Sequence, residues 1–551
     1  MESSSVRSRS LDSTFSGQST KCSLQQVMNE YADLYRSQED MEIAESKKSH
    51  ASLVNWTSES DKENPKNFRH IVKISIGVNV SVMNLVVSLA VSTLTSVLGH
   101  IADSFEQQNL EEMQLVVTIY IAGLAFGPVF FGPASEFYGR KRPLILGMAG
   151  FLLFNYLVTA VNDFRMALVC RFFSAACGSA AYVIPPGVFV DLYGPVGRAI
   201  GYQIFATAAF IGGSLGPGLA ACMIRHGLEW HWALYVVSIT ALPLVIASII
   251  LPETLESVLL QRKSHRLRLA TGDWSLHSRR DEIPVNLSDY LVKPWKMLVQ
   301  EPVLIVVTTA FTIDYFIQSL TYSDIPIAFS IRGWGYTSSY MSLYLTIPGF
   351  ALGCMILVLD TILRFRKRHL KGLPIAPESR LPPIIIGMAL LSIGLLCFAY
   401  SCSPDIYWTF QAAAAVVFSC GMYLVWVTGT VYVQDLYVSH SNSALAACAF
   451  VRYSVGAAAP MLSGVLRDKM GLSQSISFVG TVCALLVPLH VLFYFCGKKI
   501  RRWSKFALHD AYVETQAACD GVDVCLASHR CEKHLAIGHC SDKNTSVGFQ
   551  R

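Results

Sequence analysis

Residues 132–143 read GPASEFYGRKRP, a short charged loop held between two long apolar stretches. Its core is an acid and two arginines, Glu136, Arg140 and Arg142, and the same spacing returns as Asp360, Arg364 and Arg366 after another apolar run. Two matched charged hinges in an apolar chain point to a duplicated bundle. Outward from the hinge, about twelve runs reach the ~20 apolar residues that a bilayer core demands. They lie at 73–98, 115–133, 143–161, 164–190, 200–223, 232–252, 302–326, 341–364, 383–402, 410–435, 443–466 and 472–496. Apolarity without a period of two predicts helices and not barrel strands. The expected fold is all-α and membrane-spanning, twelve transmembrane helices in two pseudo-symmetric six-helix bundles over 71–252 and 301–497. The polar segments 1–70, 253–300 and 498–551 then form a disordered N-terminal tail, a linker and a C-terminal tail, all cytosolic.

Charge placement orients the chain. Basic residues cluster in the even-numbered loops and near the tails, at Lys62–Lys73, Arg140–Arg142, Arg262–Arg268, Arg364–Lys371 and Lys498–Arg502. The loop 99–114 has no lysine or arginine and carries Asp103, Glu106, Glu111 and Glu112. The positive-inside rule puts both termini in the cytosol of a plasma-membrane protein. The basic clusters set topology and form no nucleic-acid site. The opening MESSSVRSRSLDST has no apolar core, so the first span must direct insertion. Cys170, Cys177, Cys354 and Cys420 lie inside apolar runs, a small-hydrophobe role. The tail cysteines and histidines lack tight zinc spacing, so no metal is expected. The sequons at Asn55, Asn286 and Asn544 fall on the cytosolic side, and no glycosylation is expected. A phosphate-binding Gly-Lys-Ser/Thr loop and a nucleophile elbow are both missing, which argues against an ATP-driven pump and against an enzyme.

The repeat shows at two further places. The fourth run ends in Asp191-Leu192-Tyr193 and the tenth in Asp435-Leu436-Tyr437. The fifth carries Gly212, Gly216, Pro217 and Ala220; the eleventh carries Gly456 and Pro460. Parallel halves of this kind belong to six-plus-six transporters. Gly132 and Gly139 fit as turn formers at the hinge. Asp191 sits at a helix C-terminus, where the macrodipole disfavours an anion, and Arg140 on the same side is its expected partner. Glu136 is expected to face the N-terminus of a helix from the other half. Such contacts would form when the bundles close on the cytosolic side, which makes Gly132, Glu136, Gly139, Arg140, Arg142, Asp191, Asp360, Arg364 and Asp435 gate candidates. The plain alternative is that the arginines only mark the inner side.

The hinge, GGSLGPGLAA (212–221), PETLESVLLQRKSHRLR (252–268), WTSESDKENPKNF (56–68), PESRLP (377–382) and SALAACAFVR (443–452) together resemble the major facilitator superfamily, in particular the fungal twelve-helix drug:proton antiporters. The likeness covers roughly 55–505 and departs at Gly213, Ala220 and Ala221, where the family usually has Pro, Gly and Gly. The resemblance implies export and a helix-five role for Gly212, Gly216, Pro217 and Ala220, which stack on one face and allow close packing. It also implies that Arg171 assists proton movement; snorkelling to the outer surface is the alternative.

Charges inside a bilayer are costly and therefore functional candidates. Asp314 lies twelve residues beyond Pro302, roughly 18 Å along a helix and near the midplane, a candidate proton acceptor or a structural aspartate. Asn84, Tyr120, Tyr315, Tyr344, Trp426 and Arg452 are candidates to line a greasy cavity. The leading expectation is a monomeric secondary transporter without cofactors, exporting hydrophobic drugs, toxins or a secondary metabolite in exchange for protons, with the proton gradient as its energy source. An importer or polyamine carrier on the same fold, and a non-transporting receptor, are the rivals.

Overall fold

The computed structural model describes residues 53–58, 60–106, 110–282, 287–367, 377–437, 440–501 and 503–504. Twelve helices among them are long and apolar enough to cross a membrane. They are α1 (His70–Ser96), α2 (Met113–Phe137), α3 (Lys141–Ala160), α4 (Phe164–Leu192), α5 (Pro195–Arg225), α6 (His231–Ile250), α7 (Pro302–Ile331), α8 (Tyr336–Phe365), α9 (Pro377–Tyr400), α10 (Trp408–Leu436), α11 (Ser441–Met470) and α12 (Leu472–Gly497). Several extend a turn beyond the apolar runs because their ends are polar yet helical. Pro195 and Pro302 open α5 and α7 at positions where a missing N–H costs nothing. Asp163 caps α4 by accepting from the Arg165 amide at 3.1 Å.

The halves repeat in their packing. α1 lies along α5 as α7 lies along α11. α4 packs on α2 and α3 as α10 packs on α8 and α9, and the pair α3–α6 is matched by α9–α12. Between halves α2 runs against α11 and α5 against α8, again a matched exchange. Glycines set these distances: a Cβ at Gly212 would stand 2.3 Å from the Leu85 carbonyl oxygen and one at Gly349 2.4 Å from that of Val416. The segment between α6 and α7 is helical in part, at Glu256–Thr271, Arg279–Glu282 and Leu287–Gln300. The last of these rests on both α2 and α11, with Trp295 edge-on to Phe450 at 4.7 Å.

A small separate unit comprises, among the described residues, 53–58 and 260–282. Arg268 meets Asp281 at 3.1 Å and Lys263 lies 5.3 Å over the Trp56 ring. Burial works against the Asp281 carboxylate, yet bonds from Ser278 and Gln261 and the Arg268 charge hold it below its ordinary range. Asn55 lies here, exposed; Asn286, Asn544 and the cysteine- and histidine-bearing tail fall outside the described residues.

Candidate functional site

The hinge closes on Gly139. Its φ of +94° ends α2 and turns the chain back within three residues, a conformation that favours glycine. Glu253, just beyond α6, then accepts the Arg140 amide at 2.8 Å and the Lys141 amide at 3.2 Å, capping α3. The Arg140 guanidinium reaches Asp191 at 3.0 Å and the Ser135 hydroxyl at 3.0 Å. Gly187 leaves it room, since a Cβ there would lie 2.7 Å from its central carbon. Burial opposes the Arg140 charge, but Asp191, with Glu136 and Glu253, outweighs it and holds the group above the ordinary arginine range. All of these residues belong to the first half. The expected bond between Arg140 and Asp191 is present; it fastens one bundle and does not itself bridge two.

What bridges the halves is adjacent. Glu136 sits on the N-terminus of α11, accepting from the Ser443 amide at 3.2 Å and its hydroxyl at 3.0 Å, where the helix dipole favours an anion. Asn442 donates to Ser135 at 3.1 Å; Gly132, expected at the turn, lies instead inside α2, which runs on to Phe137, and lets α11 approach, a Cβ there standing 3.0 Å from that of Ala446. Asp435 holds Arg198 from the first half and Arg380 from its own, and Arg380 also donates to the Pro195 carbonyl at 3.3 Å. Asp360 and Arg364 do otherwise than expected: they pair with each other at 2.9 Å on α8, about a third exposed, and reach no described residue of the first half. Arg142 is exposed. Arg198, Glu253 and Arg380 were missed by sequence reasoning. The last two lay inside quoted blocks, PETL and PESR, and a charged residue at the end of a span was the signal to follow.

α5 has two working faces. Gly212 and Gly216 pack on α1, within the first half, while Ala220 is fully buried. The face toward the second half carries Ser214, whose hydroxyl is 2.7 Å from that of Thr346, and Gly218, against which the Tyr344 ring lies. Nearer the hinge Gln203 donates to Thr361 at 3.1 Å and Tyr423 donates to the Gln203 carbonyl at 2.7 Å.

Between the halves lies a cavity of about 390 Å³. It runs from Thr430 and Leu445, within about two turns of the hinge-side ends of their helices, to Gln114 and Arg467 at the ends away from the hinge. Asn84, Tyr315, Trp426, Arg452 and Pro217 line it, as do Tyr182, Tyr202 and Gln318. Tyr120 and Tyr344 do not: Tyr120 is buried under Arg171, and Tyr344 donates to the Leu215 carbonyl at 3.4 Å. Asn84 donates to the Phe205 carbonyl at 3.0 Å. Arg171 is 1% exposed, stacked 4.0 Å from the Tyr120 ring centre and bonded to the Ala90 carbonyl at 2.6 Å. Snorkelling is thereby excluded, since the guanidinium is enclosed by protein. Asp314 is 3% exposed and lies beside the cavity without lining it; neither carboxylate oxygen has a hydrogen-bond partner among the described residues.

The profile of the Major Facilitator Superfamily matches residues 80–460. The citrinin biosynthesis cluster MFS transporter mrr1 of Monascus ruber is 35% identical, the match covering 83% of this chain and 92% of that protein. The ascochitine biosynthesis cluster MFS transporter of Didymella fabae is 32% identical over 83% of this chain and 89% of its own. The cercosporin MFS transporter CTB4 of Cercospora nicotianae is 28% identical over 84% and 92%. The solved structure of the proton:xylose symporter XylE, bound to 6-bromo-6-deoxy-D-glucose, superposes with a TM-score of 0.59 at 14% identity, covering 81% of this chain and all of that one, a likeness of fold.

Proposed function

We propose that this chain, which belongs to the Major Facilitator Superfamily, exports a hydrophobic secondary metabolite or toxin across the plasma membrane in exchange for protons. It is a multi-pass membrane transporter and not an enzyme. The observation that carries the transport reading is the cavity, built from both halves and bounded on the hinge side by Glu136–Ser443, Ser135–Asn442 and Arg198–Asp435–Arg380. Opening those contacts while the opposite end closes would expose the same pocket to the other side, which is alternating access. Relatives named for citrinin, ascochitine and cercosporin support a metabolite as cargo. In this reading the termini are cytosolic, the protein works as a monomer, and the proton gradient is the only energy source.

Asp314 is the proton carrier we favour, because a carboxyl group buried without a partner is most comfortable when protonated. Among the described residues no carboxylate lines the cavity, which speaks against a polyamine carrier. In proteoliposomes holding purified protein, an imposed proton gradient should drive counterflow of substrate, and Asp314→Asn should abolish the gradient's effect while leaving downhill exchange. Equal gradient dependence in both proteins sinks Asp314 as carrier; uptake with the proton in place of counterflow sinks export.

A further inference from the structure

We propose that the cavity selects organic anions, seating the carboxylate or enolate head of an aromatic molecule on Arg452; this rests on the transport reading above and names its substrate class. The cavity lining holds two cations, Arg452 and Arg467, and no aspartate or glutamate among the described residues. Arg467 is already neutralised: its Nη1 is 2.9 Å from Asp324, which also accepts from Ser463 at 3.4 Å. Arg452 is different. It is 7% exposed, and it makes no hydrogen bond or ion pair with any described residue; its Nε is sealed from solvent without an acceptor. Its guanidinium carbon sits 3.9 Å from the Trp426 ring centre, 4.2 Å from Tyr453 and 5.7 Å from Tyr315. Rings hold the flat faces of a guanidinium and leave its N–H edge to a planar acceptor, for which a carboxylate is the matched shape.

Asp314 does not supply that acceptor, since no ion pair joins it to Arg452 and it lies outside the lining. Asp314 is near enough to feel the Arg452 charge but does not pair with it; a buried charge without a paired counter-ion is expensive, and a ligand that brings one to its N–H edge recovers that cost. Phe205, Phe210 and Ile327 give the cavity apolar and aromatic wall, interspersed with uncharged polar groups such as Asn84 and Gln318, and receive the body of the molecule. A cationic amine would meet the same walls and the positive charge of Arg452, which no direct ion pair neutralises.

The test compares three fluorescent probes of one shape on the purified full-length protein: 1-pyrenebutyrate, its methyl ester and 1-pyrenebutylamine. The carboxylate should bind at least ten-fold tighter than the ester, with the amine weakest. Arg452→Gln should remove that preference and leave the ester unchanged, and Arg452→Lys should restore part of it. Ester or amine binding as tightly as the carboxylate overturns the proposal, as does binding of none of the three. Should Arg452→Gln fail to fold, the order of the three probes on the unaltered protein decides. Transport separates this inference from the export reading. A carboxylate that binds but never leaves proteoliposomes counts against export alone. Outward movement of ester or amine, with the carboxylate left behind, counts against the anion site alone.

Discussion

At the first hinge the segment Glu136-Phe137-Tyr138-Gly139-Arg140 leaves its helix; at the second, Asp360-Thr361-Ile362-Leu363-Arg364 stays in it. One glycine makes the difference. Gly139 takes a positive φ, so the arginine four residues after the acid swings away from it and toward Asp191. Leu363 holds the chain in a helical turn, widened to a π-helix over Thr361–Phe365, so the arginine folds back on its own acid. The second half then needs another cation for Asp435, and takes Arg380 from its own half and Arg198 from the other. Duplication preserved the residues; the backbone between them decided which bonds they make. The largest effect should therefore come from Gly139→Ala. The new Cβ would stand 2.4 Å from Glu253, and a non-glycine residue at this φ costs about 1–3 kcal/mol before the lost cap is counted. We expect a sharply reduced yield of monodisperse protein and a lower thermal midpoint in detergent, whereas Leu363→Ala at the matching position leaves both near wild type. Equal melting of the two variants would break the comparison at its root.

Asp435 supplies the next test. Asparagine there leaves two buried guanidinium groups short of a carboxylate, and breaking a buried pair costs about 3–5 kcal/mol. Asp191→Asn strips one arginine, within one half, and Arg140 retains the Ser135 hydroxyl. Efflux by Asp435→Asn should fall ten-fold or more and by Asp191→Asn less, measured on equal amounts of folded protein. A combined Asp435→Asn and Arg198→Gln variant should recover part of the loss, because one of the two orphaned cations is gone. No recovery would mean that Arg198 does its work elsewhere.

These tests also mark what the sequence made legible. Span number and duplication followed from the apolar runs, because a bilayer imposes a length that no local detail can hide. The partners of Asp191 and Glu136 were within reach, since a helix end states which sign of charge it tolerates. Asp360 and Arg364 misled because matched spacing was taken for matched backbone, although Gly139 in one copy stands against Leu363 in the other. Tyr120 and Tyr344 misled for a different reason: an aromatic residue in a span carries no mark of whether it faces a cavity or a neighbour. Arg452 was seen, but its lack of an anion is a fact of three dimensions.

Glu136→Gln gives a smaller and more diagnostic change. The amide keeps an acceptor at the α11 N-terminus and loses the charge, worth about 0.5–2 kcal/mol as a cap. That is too little to unfold the protein and enough to shift the balance between hinge-closed and hinge-open states. A cysteine at Ala446, which Gly132 faces, should then label faster than in the unaltered background. Unchanged labelling would mean that the cap stabilises α11 and takes no part in closure.

The smallest effect is expected where the sequence pointed most directly. The pair of Asp360 and Arg364 is about a third exposed on each side and lies within a single helix, a geometry worth roughly 0.3–0.5 kcal/mol. Neither residue reaches a described residue of the first half, so replacing both, as Asp360→Asn with Arg364→Gln, should leave efflux within about two-fold and the thermal midpoint unmoved. The same exchange at the first hinge, Asp191→Asn with Arg140→Gln, removes a buried pair, the Ser135 contact and the side chain that Gly187 makes room for. Loss of transport in the second-hinge double variant, with folding intact, would show that Arg364 changes partner when the hinge face opens. The two hinges would then be alike in the opposite state and unlike only in this one.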